Sequence, residues 1–225
     1  EYMSDGELID HMNFLMMAAH DTITSSVTSM IWYLAKYPEW QEKLRQECLS
    51  IAPTGSDIAF ADLDKFELTE YAFKEALRMI PPVPSIPRRA LRDFEFMGFH
   101  IPQGTAVSIS PAYVHMMEEY WDQPDVFDPM RFTPDKVKAR HKYAWVPFGG
   151  GAHMCLGLHF AYMQMKLFMH HLLTNVRVEI ADGLAHAHAR GVLHRAVKPS
   201  NVMITPAGRV LLIAIGLARE EHASS

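Results

Sequence analysis

The stretch from Phe148 to Gly157 reads FGGGAHMCLG, and it sets one of only two cysteines in the 225-residue chain at the exit of a glycine run. Glycines at 149–151 let the backbone take turns that other residues resist. As a phosphate cradle the run fails, because a GxGxxG pattern would need glycine at Met154 and no Gly-Lys-Ser/Thr ending follows. Two cysteines, Cys48 and Cys155, are too few for a disulfide framework. A lone cysteine in so distinctive a setting points to a ligand or a nucleophile. The plain alternative is a small buried hydrophobe.

Five positions decide between these. Phe148, Gly151, His153, Cys155 and Gly157 fit the spacing F-x-x-G-x-H/R-x-C-x-G, which suits a thiolate that ligates haem iron. Such a thiolate pushes electron density onto the iron and favours O–O cleavage. Backbone N–H groups must temper it, and glycines let the main chain fold back closely enough to supply them. His153 is placed to meet a haem propionate, and Gly157 lets the following helix approach the porphyrin face.

Outward from this loop the pattern is helical. Asp5 to about Tyr37 carries a long helical apolar pattern, opened by Ser4 and Glu7 in capping-box spacing. PEWQEKLRQECLSI (38–51) predicts a second helix with Pro38 in its first turn. Another lies within Asp62–Ile80, stopped by PPVPSIP. Residues 89–110 alternate in short runs with turn signals at Met97-Gly98 and Gln103-Gly104, so small antiparallel strands are expected. PAYVHMMEEY (111–120) reads as a short helix, WDQPDVFDPMRFTPD (121–135) as a proline-broken loop, and 156–175 as a helix leaving the glycine turn. The expected class is mainly α with a small antiparallel β portion.

With these motifs in order, residues 1 to about 180 resemble the carboxyl-terminal half of a cytochrome P-450. AAHDT (Ala18–Thr22) is similar to the oxygen-activating segment of that family's long central helix. EALR gives Glu75 and Arg78 in ExxR spacing, and FDPMRF supplies Arg131, the third member of a Glu–Arg–Arg cluster. IPRRA offers Arg88 as a propionate contact, with Arg89 as the second choice. The resemblance implies haem as cofactor with Cys155 on the iron, Asp21 and Thr22 as proton-delivering residues, and an external electron donor serving a small organic substrate. It also implies that the amino-terminal half of such a fold is absent here, with at most residual haem binding left to the chain as it stands. Taken alone, Thr22 could simply bond back to a carbonyl four residues earlier. Glu75 and Arg78 alone would be an ordinary i,i+3 pair. As a trio with Arg131 they are expected to be structural, tying the cysteine loop to the helix.

Composition changes near Ile180. All 24 aromatic residues lie at or before Phe168. The last 45 residues carry 5 Lys/Arg against 3 Asp/Glu in an otherwise acidic chain of formal net charge −5. A boundary is therefore placed at 180, without a linker-like stretch to announce it. Residues 181–225 resemble the catalytic-loop region of a bacterial-type Ser/Thr protein kinase, a partial α/β segment. Lys198 and Asn201 stand where that family holds phosphate and metal. Ala196 and Ala214 stand where it needs aspartates to accept a proton and hold magnesium. Neither ATP nor Mg is expected to bind, no kinase activity is expected, and the chain reads as an inactive join of two fragments. His186, His188 and His194 do not share one helix face, so they make a poor metal site.

The acidic balance, without a basic stripe, excludes nucleic-acid binding as an expectation. No run reaches the roughly 20 apolar residues of a membrane span. The expected location is cytoplasmic.

Overall fold

The computed structural model describes residues 3–180 and, beyond them, four short strand segments within 192–220. By its internal contacts the chain divides into two compact units: Glu1–Val27 with Tyr71–Tyr162, and Thr28–Glu70 with Met163–Ser225. Every residue singled out above for haem chemistry falls in the first unit.

A 32-residue helix, Asp5–Lys36 (α1), runs through the first unit into the second. Its start is the expected capping box. The Ser4 amide donates to Glu7 Oε2 at 2.8 Å, and the Glu7 amide donates back to Ser4 Oγ at 3.3 Å. This satisfies donors that the first helical turn would otherwise leave without partners. From Asp5 to Met17 the helix is exposed on all sides, with Leu8, Ile9, Met12, Phe14, Leu15 and Met16 among its exposed apolar residues.

In the second unit, Pro38–Ile51 (α2) begins at Pro38 as expected. Its Gln41 is buried: Nε2 donates to the carbonyls of Leu34 and Val178 at 3.0 and 2.9 Å, and Oε1 accepts from the Val178 amide at 2.9 Å. A 3-10 turn at Phe60–Lys65 then precedes Glu67–Met79 (α3), which lies within Asp62–Ile80 as expected. Its start is set by a cap from afar. Glu47 of α2 accepts from the Leu68 and Thr69 amides at 2.6 and 2.9 Å and from Thr69 Oγ1 at 2.6 Å, which fixes the first turn at 67–69. Met30, Leu34, Leu44, Phe66, Met169 and Leu173 are fully buried in this unit.

The first unit holds the small sheets. Ile86–Arg89 (β1) pairs antiparallel with Ala106–Ile109 (β4), and Phe94–Phe96 (β2) with Phe99–Ile101 (β3). The two-residue β2–β3 turn sets Met97 at φ +49° and Gly98 at φ +81°, the left-handed pair that a tight hairpin requires. The short helix expected over 111–120 is a single α-turn, Pro111–Val114 (α4). After it the amides of Met116, Met117 and Tyr120 reach back only three residues. The His115 carbonyl instead receives the Arg78 guanidinium at 2.8 Å, so this segment serves a buried partner rather than continuing as helix. The loop at 121–135 contains a 3-10 turn, Pro129–Phe132, and leads into Pro134–Ala139 (α5). The final long helix, Leu158–Asn175 (α6), starts two residues later than expected, which leaves Leu156 and Gly157 outside it.

Beyond Ile180 the described backbone consists of two antiparallel pairs, Val192–Leu193 (β5) with Arg219–Glu220 (β8) and Val202–Ile204 (β6) with Val210–Leu212 (β7). Ala196, Lys198, Asn201, Ala214 and the three histidines of the kinase-like reading lie outside the described residues.

Candidate functional site

The glycine loop closes on itself. The Gly149 amide donates to the Val146 carbonyl at 3.0 Å, and the Cys155 amide to the Phe148 carbonyl at 2.9 Å. Between these bonds Gly149 and Gly151 take φ of +72° and +67°, and Gly151–His153 forms a 3-10 turn. A Cβ at 149 would meet the His153 carbonyl at an ordinary contact distance of 3.6 Å, so it is the left-handed backbone that calls for glycine there. The spacing had marked Gly151; the loop requires Gly149 equally. Cys155 leaves this turn exposed, and a Cβ placed on Gly157 would sit 3.8 Å from its Sγ. Glycine at 157 therefore keeps one face of the sulfur bare. Phe148 is half-buried, with ring centroids 6.1 Å from Trp145 and 5.8 Å from Tyr162, so aromatic contacts anchor the loop's entry.

Glu75, Arg78 and Arg131, the trio that the family resemblance implies, lie together in the structure. Arg78 Nε and Nη2 meet Glu75 Oε2 and Oε1 at 2.7 and 2.9 Å, and Arg131 Nε reaches Oε1 at 3.2 Å. Glu75 and Arg78 are fully buried and Arg131 nearly so. Two buried cations on one carboxylate need further acceptors. Backbone carbonyls supply them: His115 and Pro124 receive Arg78 at 2.8 and 2.7 Å, while Asp122 and Gln123 receive Arg131, the latter at 2.8 Å. Arg140 is a third cation, its guanidinium carbon 3.7 Å from the centre of the Trp121 ring and its Nη2 donating to the Arg131 carbonyl at 2.9 Å. Burial draws Arg140 down to about 10.

Sequence reasoning missed His115. It is fully buried, its Nδ1 lies 3.2 Å from the Arg78 carbonyl, and its Nε2 lies 2.9 Å from the Val146 amide. Burial pushes its pKa down to about 4, with the Arg78 charge adding to the effect, so the ring is neutral near pH 7. An amide can only donate, so Nε2 accepts and the proton sits on Nδ1. The available signal was thin: one histidine among Val114, Met116 and Met117.

The remaining candidates stand apart from these clusters. Thr22 Oγ1 donates to the Ala18 carbonyl at 2.7 Å, the back-bond weighed above. The Asp21 carboxylate is 83% exposed and pairs with His20 Nδ1 at 2.8 Å, not with Thr22. Arg88 is exposed on β1 with Nη1 donating to the Pro87 carbonyl at 2.9 Å, and Arg89 donates to the Gly104 carbonyl at 3.1 Å. His153 is exposed.

These residues fit a haem. The group asks for a soft anionic ligand, apolar surface for its faces and cations for its propionates. Around the exposed Cys155 the chain offers exposed Met154, Leu156 and Phe160, a sulfur face cleared by Gly157, and exposed Arg88 and His153 in the same unit. Among the described residues no helix is long and apolar enough to cross a membrane.

Comparison with known proteins agrees with this chemistry. The family model of Cytochrome P450 matches residues 1–194. Cytochrome P450 136 of Mycobacterium tuberculosis is 41% identical over 179 residues, which make up 79% of this chain and 36% of that protein. Cytochrome P450 4A14 of Rattus norvegicus is 38% identical over 79% of this chain and 34% of its own length. A solved structure of retinoic acid-bound cyanobacterial CYP120A1 superposes with a TM-score of 0.71 at 36% identity, covering 76% of this chain and 39% of that one. The chain thus spans about a third of the length of the curated relatives it matches.

Proposed function

Because the chain belongs to the cytochrome P450 family, we propose that residues 1–180 form the haem-thiolate portion of a monooxygenase in which Cys155 is the iron ligand. The observation that carries this reading is the exposed Cys155 sulfur beside side-chain-free Gly157, at the end of a loop closed by the Cys155–Phe148 backbone bond. Bound haem would supply the activation of O₂ for oxygen insertion into a small organic substrate, with electrons from an external donor.

The chain's own residues have separate tasks. Gly149 and Gly151 hold the turn that presents Cys155. Arg88 and His153 pair with the propionates. Asp21 exchanges protons with water at its exposed carboxylate. Thr22 Oγ1, while donating to Ala18, retains lone pairs that can accept a proton-bearing neighbour. Glu75, Arg78 and Arg131 serve structure, since their charges are consumed by one another and by backbone carbonyls.

Turnover requires more than these residues. Water-excluding chemistry needs a cover, and the exposed apolar residues of α1 support a reading in which another protein segment provides it. On its own the chain holds haem weakly and does not turn over. Residues 181–225, kinase-like in sequence, transfer no phosphoryl group, because Ala196 and Ala214 can neither accept a proton nor hold magnesium.

The test is a haemin titration followed by quenching of tryptophan fluorescence. Cys155→Ala should weaken binding at least about tenfold by removing the iron ligand, while Cys48→Ala leaves it unchanged. Equal affinities for the two variants would overturn the assignment.

A further inference from the structure

We infer that His115 is a positioning residue, bridging the Arg78 carbonyl and the Val146 amide and so coupling the buried Glu75–Arg78–Arg131 cluster to the loop that carries Cys155. The contact with Arg78 is reciprocal. Arg78 Nη1 donates to the His115 carbonyl at 2.8 Å, and His115 Nδ1 donates to the Arg78 carbonyl at 3.2 Å. Two residues 37 positions apart are thereby locked at both backbone and side chain. The far ring nitrogen then accepts the Val146 amide proton at 2.9 Å, another 31 positions along.

Val146 is where the cysteine loop begins. Its carbonyl accepts from the Gly149 amide at 3.0 Å, which opens the turn, and the Phe148 carbonyl accepts from the Cys155 amide at 2.9 Å, which ends it. A run of hydrogen bonds and short covalent steps therefore connects the Glu75 carboxylate with the Cys155 backbone through one imidazole. Both ring nitrogens are used and the ring is fully buried, so rotating or flipping it breaks both bonds at once. Depression of its pKa by burial keeps the acceptor nitrogen unprotonated at neutral pH. Neither a phenylalanine nor an aliphatic residue could serve both groups, and the half-buried amide at Val146 would lose its partner.

The consequence for an iron ligand rests on the assignment of Cys155 above, whereas the bridge itself does not. The two can fail separately, because the bridge is tested on the full chain without haem. Hydrogen exchange, read by mass spectrometry on peptides covering 144–155 and on reference peptides covering 28–51, should be compared for the wild type, His115→Asn and His115→Gln. Asparagine offers an N–H near the Nδ1 position but no acceptor at Nε2, so the loop peptide should exchange about tenfold faster while the reference peptides keep their rates. Glutamine can place a carbonyl oxygen near the Nε2 position and should hold the loop within about twofold of wild type. Alkylation of the Cys155 thiol by a maleimide should follow the same order. Equal loop exchange in the two variants, whether both are unchanged, both faster or both unfolded, would overturn the inference. A haem affinity indifferent to Cys155→Ala would sink the ligand assignment and leave the bridge standing.

Discussion

The Glu75 carboxylate meets the Arg78 guanidinium twice, at 2.7 and 2.9 Å, with neither side chain exposed to solvent at all. On a helix surface an i,i+3 pair of this kind adds a few tenths of a kcal/mol. Burial changes the sign of the argument. Removing one partner strands the other charge in a medium that cannot solvate it. Glu75→Gln should therefore destabilise the chain by about 3–5 kcal/mol, as read from the urea midpoint of the tryptophan signal. A loss below about 1 kcal/mol, the range of exposed pairs, would mean that the backbone carbonyls alone neutralise Arg78 and Arg131.

His115 makes stability depend on pH with a definite sign. Its folded pKa, about 4, lies below the ordinary 6.5, so the unfolded chain binds the proton first. The contribution is fully present above about pH 6.5 and is lost as pH falls toward 4, by about 3 kcal/mol in all. The relevant neighbouring charges are Arg78, which opposes protonation, and the Glu75 and Arg131 charges behind it. Urea unfolding of wild type and His115→Gln at pH 7, 6, 5 and 4 isolates the term. Wild-type stability minus that of His115→Gln should fall by about 3 kcal/mol between pH 7 and pH 4, because glutamine does not titrate; parallel curves would contradict a buried neutral histidine.

Two glycines of the cysteine loop should respond in opposite ways. Gly149 sits at φ +72°, so Gly149→Ala should cost about 1–2 kcal/mol through backbone strain. Gly157 is not in that region, and a Cβ there would meet only the Cys155 sulfur. Gly157→Val should change stability by no more than about 0.5 kcal/mol yet slow alkylation of Cys155 and weaken haemin binding. Thermal melts paired with thiol kinetics on both variants separate the two effects.

At the start of α3, Glu47 takes the place of a local cap. Glu47→Ala frees the Leu68 and Thr69 amides together and should cost about 1–2 kcal/mol. Faster hydrogen exchange should be confined to the first turn of α3, and unchanged exchange there would show that water caps the turn equally well.

What was legible in the sequence was local or anchored by spacing. Ser4 and Glu7 read as a capping box because both partners lie within one turn, and Pro38 marks a helix start by its own geometry. Glu75, Arg78 and Arg131 could be named because a resemblance joined residues that periodicity alone could not bring together. His115, Glu47 and Arg140 were not legible. Each acts on a distant partner (His115 on Arg78 and Val146, Glu47 on Leu68, Arg140 on Trp121), and nothing in their immediate neighbours distinguishes them from surface polar residues. The early end of α4 and the start of α3 within the expected range have the same origin, since in both places a tertiary hydrogen bond sets the boundary. Thr22 shows the opposite limit: two local readings were open, and the structure displays the back-bond to Ala18.

On the proposed reading, Cys155 supplies the iron's thiolate. Haemin should be added to the full chain, the sample reduced and exposed to carbon monoxide, and the absorption spectrum recorded for wild type, Cys155→Ala and Cys48→Ala. Whatever haem the chain holds should show a red-shifted Soret band, lost in Cys155→Ala and kept in Cys48→Ala. A spectrum like that of free haem, or one unaltered by Cys155→Ala, would contradict it.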